Sequence, residues 1–135
     1  MSKGNTLILG ARSKIAIATA YRFATEGYNI QLAARNIGNL ELDRLNIEKL
    51  HKVRVTLHEF DVLKTSTHSE FISNLYPDLP DIAVCAIGYM GIQSESELDL
   101  TAALQVIQSN YAGPLIMLGE IARHFEQRGS GTIVG

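Results

Sequence analysis

The chain has a single cysteine, Cys85, and no tryptophan. A lone thiol excludes an internal disulfide framework. The histidines at 51, 58, 68 and 124 are scattered and read as surface residues, and no Cys/His group has metal-ligand spacing, so no metal is expected. No window approaches the length of a membrane span, and the apolar run after Met1–Thr6 is too short for a signal peptide. Neither charge sign dominates: 12 Lys and Arg face 14 Asp and Glu, for a net charge of -2. Nothing in that balance calls for nucleic acid or an anionic membrane as a partner. A reduced, cytoplasmic setting is the expectation.

What is present is core-forming material. Of 135 residues, 46% are hydrophobic and 19% charged, which fits one globular domain. Short apolar runs alternate with helical segments. Strands are expected at Thr6–Leu9, Asn29–Ala34, Val53–Phe60, Asp81–Ala86 and Thr132–Val134. Helices are expected at Ser13–Glu26, with Ala16, Ala20, Phe23 and Ala24 on one face and Gly27 as a stop, and at Gly38–Lys52. Thr65 or Ser66 should cap a third helix through Leu75, and a long one should run from Asp99 to Arg128. Its stripe reads Leu100, Leu104, Ile107, Tyr111, Leu115, Leu118, Ala122 and Phe125. This alternation predicts an α/β fold: a three-layer, Rossmann-like, doubly wound parallel sheet of five strands in order 3-2-1-4-5. Ligands of such sheets bind beyond the strand C-termini, where Gly10, Arg35, Asp61 and Gly88 all fall.

The segment LILGARSKIA, residues 7–16, runs from a strand through a glycine into a helix. A dinucleotide loop needs a tight turn, close backbone approach to a pyrophosphate and helix N-terminal amides. Gly10 can make the turn. The pattern G-x-x-x-G-x-G would put further glycines where Lys14 and Ala16 stand. By itself the loop reads equally well as an ordinary turn. Ser13-Lys14 lacks a P-loop arrangement, and the glycines of an epimerase-type G-x-x-G-x-x-G loop are absent at 13 and 16.

Six segments together carry a resemblance: LGARSKIA, LAARN at 32–36, FDV at 60–62, VCAIG at 84–88, SNYAGP at 109–114 and SGTIVG at 130–135. In order and spacing the chain resembles the N-terminal part of a short-chain dehydrogenase/reductase. The resemblance implies an oxidoreductase that moves a hydride between a nicotinamide cofactor and a small carbonyl or alcohol substrate. It implies cofactor contacts at Gly10, Arg12, Ser13, Ile15, Arg35, Asp61, Val62, Ala86 and Gly88. Asn110 would be an active-site residue holding a water in a proton relay. Arg35 stands where an acidic residue would bind the ribose 2′-hydroxyl of NAD, and a guanidinium suits the 2′-phosphate of NADP instead. NADP is therefore expected over NAD. CAIG departs from the family's Asn-Asn-Ala-Gly motif.

The family's catalytic serine and Tyr-x-x-x-Lys pair would follow the fifth strand, and no tyrosine of this chain has a lysine four residues later. The expectation is the cofactor-binding portion of the enzyme, truncated after strand five, inactive alone, and self-associating through an exposed sheet edge. The alternative is a non-catalytic nucleotide-binding or regulatory module.

Overall fold

The computed structural model describes residues 3–87, 101, 104 and 112–135. Five strands form one parallel sheet: β1 (Asn5–Leu9), β2 (Asn29–Ala34), β3 (Val55–Glu59), β4 (Ile82–Cys85) and β5 (Thr132–Val134). Their order is β3-β2-β1-β4-β5, as expected. Pairing of Leu7 with Gln31 and of Leu7 with Ala83 puts β1 at the centre.

Side chains of β1 alternate between two cores. Ile8 joins Ile30, Leu32 and Ala34 beneath α1 (Lys14–Thr25) and α2 (Glu41–His51). Leu7 and Leu9 join Ala33 and Ala83 beneath α3 (His68–Ser73) and α4 (Gly113–Arg128). Three layers result, and a sheet buried on both faces needs continuous apolar strands such as LIL and LAA. Ala16, Ala20 and Ala24 let α1 sit close to the sheet, and Gly27, at φ +95°, ends it. No described helix is long and apolar enough to cross a membrane.

Several boundaries differ from expectation. The second helix opens with a 3-10 turn, Ile37–Leu40, before α2. Neither Thr65 nor Ser66 caps a helix; they lie in a second 3-10 turn, and α3 starts only at His68. On α4 the buried stripe is Pro114, Met117, Ile121 and Phe125, whereas Leu115 is 73% exposed and Ala122 faces solvent. This helix has apolar residues on two faces, and spacing alone does not tell which one meets the sheet. Pro114 falls in the first turn of α4 as described, a position that tolerates a residue without an N–H. Asn110 and Gly88 lie outside the described residues.

Candidate cofactor site

Because all strands run the same way, their C-terminal tips share one edge of the sheet. Backbone bonds tie those tips together. The Gly10 and Ala11 amides both donate to the Ala33 carbonyl, at 2.9 and 3.1 Å. Phe60 donates to Ala34 at 3.0 Å, and Ala86 to Leu9 at 2.8 Å. Gly10, Arg35, Asp61 and Ala86 are thereby brought to one rim.

Gly10 is demanded by its surroundings. Its φ is +82°, and a Cβ would sit 2.7 Å from the Ala86 carbonyl oxygen and 3.0 Å from the Ile87 Cα. The β1 and β4 tips thus touch backbone to backbone. The chain then enters α1 through Ser13, whose Oγ accepts the Ala16 amide at 3.1 Å. Helix geometry leaves the Lys14 and Ile15 amides without an intrahelical acceptor, at the positive end of the helix dipole. Ala16 is fully buried against the sheet, so a methyl group is accommodated at the last position of the glycine pattern. Arg12 and Lys14 are exposed, and Ile15 is 77% exposed, an unusual setting for a large aliphatic side chain.

At the β2 tip, Asn36 takes a left-handed conformation, φ 53°. The Asn36 and Ile37 amides both donate to the Glu59 carboxylate, at 2.9 and 3.1 Å. Beside them opens a cavity of about 440 Å³ lined by Arg35, Glu59, Asp61, Lys64, Glu70 and Phe71 among others. Asp61 Oδ1 accepts the Leu63 amide at 3.0 Å, bracing the loop after β3 and leaving its second oxygen without a described donor. Val62 is half-buried against the second core.

Two residues of this region escaped the sequence reading. His68 is buried, not at the surface: it lies against Phe60, ring centroids 5.2 Å apart, and donates Nε2–H to the Val62 carbonyl at 3.1 Å. A carbonyl only accepts, so Nε2 carries the proton. Nδ1 has no partner among the described residues, so a second proton there would be buried without an acceptor. Burial pushes its pKa below the ordinary histidine value, against the opposite pull of the Val62 and Asp61 carbonyls and of Glu120. His58 is half-buried on β3, and its pKa is lowered by burial as well. Glu59 is the other missed residue. Its one sequence signal is an acidic residue closing a strand, which becomes informative only once register sets it beside Ala34.

Among the arginines, those on this rim differ from the others. Arg22, Arg44, Arg54, Arg123 and Arg128 each pair with a carboxylate. Arg12 and Arg35 have no carboxylate partner among the described residues, and both follow strand tips on the same edge of the sheet.

The family model for short chain dehydrogenases matches residues 5–135. The chain belongs to that family. An uncharacterized oxidoreductase of Mycobacterium tuberculosis is 28% identical over 130 residues, covering 95% of this chain and 52% of the relative. A short-chain type dehydrogenase/reductase from Mycobacterium marinum superposes with a TM-score of 0.88 at 24% identity, over 98% of this chain and 54% of that one. An alcohol dehydrogenase from the archaeon Thermococcus sibiricus, solved with 5-hydroxy-NADP, has a TM-score of 0.80 at 25% identity, over 97% of this chain and 57% of that one. The short-chain dehydrogenase chain thus spans about half the length of the relatives it matches. Within the family the glycine-loop departures at Lys14 and Ala16 are compatible with the fold, since one side chain points to solvent and the other is a methyl in the core.

Proposed function

We propose that this chain is the cofactor-binding portion of an NADP-dependent oxidoreductase acting on a small carbonyl or alcohol substrate. The supporting observation is the pair of arginines on the strand-tip rim, Arg12 and Arg35, that have no carboxylate partner among the described residues. In a protein whose other arginines are all matched, guanidinium groups left over at one edge suit an anionic ligand. Arg35 would take the 2′-phosphate. Arg12, Ser13 and Ile15 at the α1 N-terminus, with Gly10 clearing the way, would take the pyrophosphate. Asp61 and Val62 would meet the adenine, and Ala86 and Gly88 would flank the nicotinamide half. When bound, the cofactor supplies or accepts a hydride. The residues named here bind and orient it, and Asn110 is assigned to the proton relay. In this reading the chain contributes a cradle that puts Arg12 and Arg35 against the anionic parts of the cofactor.

Titration of NADPH and NADH against the wild-type chain and an Arg35→Glu variant tests this. NADPH should bind more tightly than NADH. Arg35→Glu should weaken NADPH by at least about tenfold and leave NADH little changed, the loss expected for a charge-assisted pair replaced by a like charge. Equal affinity for both cofactors removes the NADP preference. Failure of both to bind favours the alternative, a module with the fold and a different ligand.

A further inference from the structure

Successive backbone N–H groups around a left-handed residue form a concavity that binds anions. The Asn36–Ile37 pair is such a concavity, and the structure fills it with the protein's own carboxylate: Glu59 Oε2 on the Asn36 amide and Oε1 on the Ile37 amide. The same cavity is lined by Arg35, the cation next in sequence, which has no carboxylate partner among the described residues. Glu59 leans across from the neighbouring strand, so its position is set by the β2–β3 register that pairs Ala34 with Glu59. Lys64 and Glu70 line the same space.

We propose that Glu59 is a specificity-setting residue: an internal anion that occupies the amide donors a 2′-phosphate would otherwise take, and so holds down the affinity for adenosine ligands that carry a 2′-phosphate. This rests on the cofactor reading above. An incoming 2′-phosphate meets Arg35 as its favourable contact, and it finds the two nearest amides already engaged by a carboxylate of the same sign. The residue therefore narrows the margin between NADP and NAD that Arg35 creates. Ligands without the 2′-phosphate never approach the amides and are indifferent to it.

The test is calorimetric titration of 2′,5′-ADP, 5′-AMP, NADPH and NADH against the wild-type chain, Glu59→Gln and the double variant Glu59→Gln/Arg35→Gln. Circular dichroism of each variant checks that the fold is kept. Removing one like charge at a surface cleft should tighten 2′,5′-ADP and NADPH by about three- to tenfold at low salt, with the gain shrinking as salt rises. Affinities for 5′-AMP and NADH should not move, and the double variant should lose the gain. If Glu59→Gln weakens all four ligands alike, Glu59 only props the turn and the proposal is overturned. No change in any ligand overturns it too. Should the wild-type chain bind neither dinucleotide, the cofactor reading fails. The proposal is then decided by 2′,5′-ADP alone: it stands if Glu59→Gln gains affinity for that ligand and falls if it does not.

Discussion

At the scale of single residues, Gly10 shows most sharply how the sequence prepares the site. Two separate demands meet there, a positive φ and a Cβ-free approach to the β4 backbone. Gly27 has only the first, since the nearest atom to its absent Cβ is Lys3 Cγ at 3.8 Å. Gly10→Ala should therefore cost about 2–4 kcal/mol of stability, against about 1 kcal/mol for Gly27→Ala. Urea denaturation of both variants checks the contrast, and equal losses would mean that the Ala86 contact yields easily. The turn at Gly10 was legible in the sequence because a glycine ending an apolar strand suits a positive φ. Glu59 was not legible. Its role depends on two oxygens reaching across to another strand, a relation that neither periodicity nor neighbouring residues encode.

Elements repeat the lesson in a different form. The limits of β2 and β5 and the stop of α1 were readable, because strand apolarity and Gly27 are local signals. The face that α4 turns inward was not readable, because Leu115 and Met117 are both apolar and only packing against Ile72 and Leu75 decides between them. Likewise α3 begins with a histidine, polar in any sequence scale, yet its ring fills core volume. A measurable consequence follows for α3 and the loop it holds. The unfolded chain takes up protons on His68 and His58 near pH 6.5, while the folded chain resists until lower pH. The unfolded state thus binds more protons in that window. Their contribution to stability is complete above pH 6.5 and is lost as pH falls below it. Thermal unfolding at pH 7.5 and pH 5.5 should show a drop for the wild type and a smaller one for His68→Phe. The residual drop in the variant belongs to His58. A variant that loses as much as the wild type would mean that His68 takes up its proton alike in the folded and unfolded states.

For the whole molecule, the distribution of apolar surface matters more than any one contact. Leu115 and Ile116 are exposed on α4, and Ile133 and Val134 are exposed on β5, which pairs only with β4 among the described residues. An open strand edge and an apolar helix face each favour self-association. We expect the 135-residue chain to sediment as a dimer or larger at micromolar concentration. Leu115→Glu/Ile116→Lys should shift it towards monomer with little effect on stability, since neither side chain is buried. A wild-type monomer over the whole concentration range would contradict this. The three-layer architecture itself was the most legible feature of all, because alternating strand and helix periods leave few topologies once crossovers are right-handed.

The pairing of β1 with β4 has a further consequence, for the order of events at the ribosome. The bond from the Asn5 amide to Asp81 links positions 76 residues apart, whereas β2 is joined to β1 by a single short helix. A nascent chain can therefore zip β1, β2 and β3 together early, with one flank of β1 still bare. The wall that Ala86 raises against Gly10 exists only after synthesis has passed β4. The crevice between the β1 and β4 tips is thus among the last parts of the described fold to be completed.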